Sequence, residues 1–206
     1  MKQMVFVVDD DESVRHAFVN LLDSAGYDVL AFDSAAAFFR APLPDIAACL
    51  LLDLRMPEAG GFDVAARLDA LGADLPIIFV TGHGSIPLTV QAMKAGALEF
   101  LTKPVEPDTL LRAVDDALAV ARARYQLRQE VDELRRRHDS LTPRERETML
   151  LVIGGLLIKQ IADDLGISEI MAKTHKRKLM DKMQARSLPD LVRYAERLQI
   201  AHTRSR

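Results

Sequence analysis

The run VFVVDDDES, residues 5–13, ends an apolar stretch in four consecutive acids, Asp9, Asp10, Asp11 and Glu12. Carboxylates crowded at the end of a core segment repel one another and lose hydration that is costly to replace. A positive group is therefore expected among them. Three more residues with suitable chemistry stand at or just past the ends of other apolar runs. Asp53 follows IAACLLL, Thr81 follows LPIIFV, and Lys103 lies just beyond ALEFL. Asp9, Asp10 and Asp53 offer the hard oxygen ligands that Mg²⁺ (or Mn²⁺) prefers, with water completing an octahedron. A metal beside a carboxylate, with a hydroxyl and an ammonium aimed at the same spot, suits phosphoryl transfer, in which catalysis is mostly positioning and neutralisation. Asp53 would be the nucleophile and would form an acyl phosphate. Lys103 would neutralise phosphoryl oxygens and Thr81 would hydrogen-bond to one of them. Taken singly, each residue has a plainer role: Asp10 or Asp11 as a helix cap, Lys103 as a surface lysine, Thr81 as a loop residue. Their joint placement is what points to one site.

That placement depends on the elements. The first half alternates apolar runs at 4–8, 28–32, 46–52, 75–80 and 97–101 with helix-like segments at 12–25, 34–40, 61–72, 85–95 and 107–121. Five strands alternating with helices argue for an α/β fold, a doubly wound parallel sheet. The third run is apolar throughout, as a central strand buried on both faces requires. In such a sheet, residues beyond the carboxyl ends of the strands share one rim.

The net charge of −3 hides an asymmetry. Residues 1–120 hold 18 acids and 8 bases, a net of −10, and residues 121–206 hold 12 acids and 19 bases, a net of +7. An acidic half joined to a basic half implies two jobs, the basic one suited to nucleic acid. The N-terminus opens directly into a strand-like run, with no basic region or apolar signal core. The longest apolar run, MLLVIGGLLI, falls well short of the roughly 20 residues that span a bilayer. A cytoplasmic protein with no membrane partner is the expectation. Cys49, the single cysteine, lies inside an apolar run and reads as a buried, inert thiol.

Between the halves, residues 118–138 form a charged helical stretch with one narrow stripe, Leu127, Val131 and Leu134. It suits a solvated connecting helix or a short dimerising coil. The second half is all helix. LTPRERE carries Thr142 as N-cap, Pro143 at N1 and Glu145 at N3, a capping box. A helix from about Ile158, a turn at Gly166, a Ser168 cap and a long helix from Glu169 follow, with a last helix over LPDLVRYAERLQ. A helix, turn and second helix is the outline of a helix-turn-helix. On the long helix, Ala172, His175, Leu179 and Met183 fall on one side and Lys173, Thr174, Arg177 and Lys178 on another. The second set suits either a solvated charged face or a surface whose Lys and Arg reach guanine edges, with Lys159 and Lys176 on phosphates.

The segments VVDDDE, LLLDLRMPEAGG, IIFVTGHGS and ALEFLTKP resemble the four signatures of a response-regulator receiver domain, and most closely the FixJ branch of the FixJ/NarL family. LTPRERE, KQIADDLGIS and SLPDLVRYA resemble the LuxR-type DNA-binding domain over about 140–200. The resemblance implies a flavodoxin-like receiver over 1–120 with strand order 2-1-3-4-5, a helical linker over 121–138 and a four-helix helix-turn-helix domain over 139–206. It implies Asp53 as phosphoacceptor, with Asp9, Asp10, Asp53 and the Arg55 backbone carbonyl on the metal. Thr81 and Phe100 would be a switch pair, Lys103 would reach the phosphoryl group, and the bond to Pro104 would be cis. Asp11 and Glu12 read as helix N-terminal charges. Three departures stand out: Ile158 where the family commonly has Asn, and Met171 and Ala172 where it has Thr and Val. Ala172 trims the helix's inner face by two methyl carbons, about 1–2 kcal/mol.

The leading function is a two-component transcription factor. A sensor histidine kinase would phosphorylate Asp53, the receiver would dimerise, and paired basic domains would engage promoter DNA, with RNA polymerase as a further partner. The departures motivate an alternative, a phosphorylation-controlled adaptor with weakened DNA binding. A phosphohydrolase is disfavoured because Arg55 stands where a second catalytic carboxylate would be expected, two residues after Asp53. Phosphoryl chemistry at Asp53 would act only on the protein itself.

Overall fold

The structure is a computed structural model that describes residues 3–57 and 59–200. The chain divides into two compact units, Met1–Gln126 and Leu127–Arg206.

In the first unit, β1 (Gln3–Val8), β2 (Asp28–Phe32), β3 (Ala47–Asp53), β4 (Ile77–Thr81) and β5 (Glu99–Thr102) form one sheet in the order β2-β1-β3-β4-β5. Every pairing is parallel. The connections are α1 (Glu12–Ser24), α2 (Ala35–Arg40), α3 (Gly61–Ala70) and α4 (Ile86–Lys94), and α5 (Pro107–Asp139) follows β5. Side chains alternate across a pleated strand. Val5 and Val7 of β1 therefore join Phe18 and Leu22 of α1 and Leu110, Val114 and Leu118 of α5. Phe6 and Val8 join Phe38 of α2, Val64 and Leu68 of α3 and Ala92 of α4 on the opposite face. β3 is buried along its whole length, Cys49 and Leu51 to one face and Leu50 and Leu52 to the other. Burial pushes the Cys49 thiol up to about 12, which makes it unreactive near neutrality.

Three strands, β3, β4 and β5, end one residue past the apolar runs, and two of these ends belong to the site. Asp53 and Thr81 are the last residues of β3 and β4, with Asp53 opposite Val80 in the ladder. Backbone pairing continues where hydrophobicity stops, so the sheet itself holds both polar side chains. The helix expected over 107–121 and the charged stretch after it are one helix of 33 residues. No proline or glycine interrupts it after Pro107. Its apolar stripe has two fates, Leu127 exposed and Leu134 buried.

The second unit contains α6 (Pro143–Ile153), α7 (Ile158–Leu165), α8 (Glu169–Met183) and α9 (Leu188–Arg197). Met149, Val152, Ile161, Leu179, Met183 and Leu191 fill its core. The α6 capping box forms: Glu145 N donates to Thr142 Oγ1 at 3.3 Å and Thr142 N to Glu145 Oε2 at 2.9 Å. Gly166 closes α7 at φ 64°, a left-handed turn that glycine adopts without a Cβ penalty. Met171 N donates to Ser168 Oγ at 3.2 Å and caps α8.

Candidate functional site

The four acids after β1 have separate jobs. Asp9 is buried, and its carboxylate accepts from Asp11 N at 3.0 Å and from Lys103 Nζ at 2.6 Å. Its backbone carbonyl accepts from Arg15 at 2.7 Å. Asp10 is exposed. Asp11 is the α1 N-cap, accepting from Ser13 N at 2.9 Å and Val14 N at 3.2 Å, and Glu12 occupies the first turn. Both favour the positive end of the helix dipole.

Lys103 Nζ, on the segment after β5, also lies 3.2 Å from Asp53 Oδ1. One lysine thus bridges the ends of β1 and β3. Ligand oxygens of Asp9, Asp10 and Asp53 lie within 4.8 Å of one another. Three carboxylates less one ammonium leave two negative charges, and an all-oxygen set suits a divalent Mg²⁺- or Mn²⁺-like ion. Burial raises the Asp53 carboxyl above the ordinary carboxylate range, Asp9 and Asp10 add to the rise, and Lys103 opposes it. For Lys103, burial pulls downward, but its bond to Asp9 and the charges of Asp53 and Asp9 prevail and raise it.

Thr81 is fully buried at the end of β4, where its Oγ1 accepts from His83 N at 3.3 Å. Lys103 N donates to the Thr81 carbonyl at 2.8 Å, which ties the lysine's backbone to β4. Phe100 is half-buried and packs on the core shared by α2, α3 and α4. The Lys103–Pro104 bond is cis. The Arg55 side chain is exposed. Gly61, absent from the sequence-based set of site residues, starts α3 where an added Cβ would come within 2.7 Å of the Asp53 carbonyl. The GG pair at 60–61 was its only signal.

In the second unit, α8 buries Ala172, Leu179 and Met183 and exposes Lys173, Thr174, Arg177 and Lys178. Lys176 and His175 are half-buried, and Lys159 is exposed at the start of α7. The Thr174 hydroxyl donates to the Ile170 carbonyl at 2.9 Å. Ile158 packs against the helical core, which gives an apolar residue there a structural use. Lys182 was not foreseen. It donates to Glu145 Oε2 at 2.7 Å and to the Ser140 carbonyl at 3.0 Å.

An all-parallel sheet with an acidic, lysine-bridged rim, followed by a helix-turn-helix unit with a basic outer helix, is the architecture of a response regulator. Residues 5–115 match the response regulator receiver domain and residues 139–195 the bacterial regulatory proteins of the luxR family. The chain is 45% identical to nodulation protein W of Bradyrhizobium diazoefficiens, over 97% of this chain and 88% of that one. It is 42% identical to response regulator protein TmoT of Ectopseudomonas mendocina, over 96% and 90%. Among solved structures it is similar to response regulator StyR, with TM-score 0.84, 46% identity and 95% and 99% coverage. Full-length FixJ from B. japonicum gives TM-score 0.57, 39% identity and 97% and 98% coverage. The chain belongs to the FixJ/NarL family of response regulators, transcription regulators with a receiver domain and a LuxR-type DNA-binding domain. No helix among the described residues is long and apolar enough to cross a membrane.

Proposed function

We propose that the chain is a cytoplasmic transcription factor controlled by phosphotransfer from a sensor histidine kinase to Asp53. The observation that carries the reading is the convergence of Asp9, Asp10, Asp53 and Lys103 on the rim at the carboxyl ends of the strands. An Asp53 carboxylate oxygen bonds to phosphorus as the bond to the kinase's imidazole nitrogen breaks, the electron pair remaining on that nitrogen. Asp9, Asp10, Asp53 and the Arg55 carbonyl would hold Mg²⁺ or Mn²⁺, which would supply positive charge to the phosphoryl oxygens. Lys103 turns its ammonium from the carboxylates toward the new phosphoryl group. Thr81 contributes its hydroxyl, and the space it leaves admits the Phe100 ring. Such a local event can tip a two-state surface.

The surface in question includes α4. Ile86, Val90 and Met93 recur at four and three residues and are 83%, 47% and 43% exposed. An apolar stripe of this kind suits a self-complementary dimer contact. Dimerisation pairs two basic α8 helices, which engage two half-sites of promoter DNA in adjacent major grooves, with Lys159 and Lys176 on phosphates and Lys173, Thr174 and Arg177 on base edges. RNA polymerase is the partner reached from there. The phosphoryl chemistry acts on the chain's own Asp53 and turns over no external substrate.

Acetyl phosphate with magnesium is expected to add one base-labile phosphoryl group at Asp53, seen by intact-protein mass and peptide mapping, and to convert monomer to dimer. An unmodified protein, or a label elsewhere, would refute phosphoacceptance. Dimer and monomer fractions that do not change on labelling would refute the switch.

A further inference from the structure

The outer face of α8 is not uniformly polar. Ile170 is 77% exposed and Met171 51% exposed, side by side in the first turn. At 100° per residue, Ile170 falls between Lys173 and Thr174 and directly above Arg177, at the centre of the exposed face. Single exposed apolar residues are ordinary on protein surfaces. Here Ile170 stands at the centre of a basic face and Met171, 100° further round, at its margin beside Thr174, which is a different matter. The helix carries five Lys and Arg against two acids, a net of +3 with His175 neutral. This charge selects a polyanion, not an apolar protein groove, as the occupant.

Neither side chain has a hydrogen-bond donor to offer a base, and the Met171 sulfur is only a weak acceptor. Thr174 has one hydroxyl proton and donates it to the Ile170 carbonyl at 2.9 Å, so toward a base edge its oxygen can only accept. The first turn of a recognition helix is the part that meets base edges. On the floor of the major groove the one apolar feature is the C5-methyl group of thymine.

We propose that Ile170 and Met171 form a methyl-reading patch that selects thymine within each half-site. This rests on the DNA-binding reading of α8 and adds a base preference to it. Lys173 and Arg177, beside and below Ile170 on the helix, supply charge and hydrogen bonds, and the apolar pair supplies discrimination against cytosine, which has only a hydrogen at C5 and an N4 amine donor where thymine has its O4 acceptor. It also recasts the Met171 departure. The hydroxyl lost there is exchanged for a polarisable, adaptable apolar contact.

The test uses the full-length protein labelled with acetyl phosphate and a duplex selected by it from a randomised pool. The chosen duplex is resynthesised with deoxyuridine replacing thymine one position at a time, which removes only the methyl group. Binding is expected to weaken by about fourfold for each methyl that contacts the patch. The uridine penalty should vanish in Ile170→Ala/Met171→Ala, while Lys173→Ala weakens thymine and uridine duplexes equally and lowers the salt dependence. Both apolar residues are exposed, so circular dichroism should show the double variant folded as the parent. Retained, salt-sensitive binding with no uridine penalty at any position, or a penalty that persists in the double variant, would overturn the methyl-reading patch alone. Failure to bind any duplex would remove the DNA-binding reading together with it.

Discussion

Asp53→Asn should stabilise the cation-free receiver while abolishing its chemistry. The Asp53 carboxylate has two acidic neighbours with ligand oxygens at most 4.8 Å away. At an effective dielectric constant of about 20, each pair at that distance repels by about 3.5 kcal/mol, or about 7 kcal/mol for two. Lys103 Nζ, 3.2 Å from Asp53 Oδ1, offsets about 5 kcal/mol of this on the same scale. About 2 kcal/mol therefore stands against the ionised side chain, before the cost of burying it. Ionic screening trims the figure, leaving an expected gain of about 1–2 kcal/mol and a rise in melting temperature of about 2–6 °C for the receiver transition. Asparagine keeps a carbonyl oxygen for Lys103, so the lysine is not stranded. Calorimetry in chelator and again with magnesium separates the parts. Wild type should melt below the variant in chelator and gain more than it from the cation, because the variant has lost a ligand. A variant that melts at or below the wild-type temperature in chelator would show that Lys103 already neutralises the cluster, and the electrostatic case for a divalent ion would fail.

Gly61→Ala should cost about 1–3 kcal/mol through overpacking against the Asp53 carbonyl and slow acetyl-phosphate labelling; chemical denaturation and a labelling time course read the two effects, and an unaltered pair of values would contradict the close approach. Lys182→Met should destabilise the second unit by about 2–4 kcal/mol in urea melts, because Glu145 is 3% exposed and would keep a buried charge without its ion partner. Burial pushes Glu145 upward, but the bonds from Lys182 and Thr142 prevail and hold it below the ordinary range. Its contribution to stability is therefore complete above about pH 4.3 and lost as pH falls through the lower folded value, a slope that Lys182→Met should flatten in the same melts. Val90→Asp should leave Asp53 labelling intact yet keep the labelled protein monomeric by light scattering; a labelled dimer would move the contact off α4.

Much of this was legible in the sequence because it is local. Strand alternation, the unbroken β3 run, the Thr142 and Ser168 caps and the Gly166 turn are set by neighbours within a few residues, and the structure has them. The acids at strand ends were visible because a hydrophobic run that stops at Asp leaves that Asp on the sheet's rim. Local signals put Asp11 at a helix N-terminus but left the cap open between Asp10 and Asp11 and did not single out Asp9 as the partner of Lys103. Backbone geometry assigns the cap to Asp11 and turns Asp9 inward to Lys103.

The amino-acid order alone determined which faces must be buried, where helices begin and which residue types reach the rim. Tertiary structure decided which of them meet. Lys103 finds Asp9 across 94 residues, Lys182 finds Glu145 across 37, and Gly61 lies against the Asp53 carbonyl. Hydrophobic periodicity records that a face is covered, and by what kind of side chain. Only strand order and register, which arise from packing the whole chain at once, bring one particular charge within reach of another.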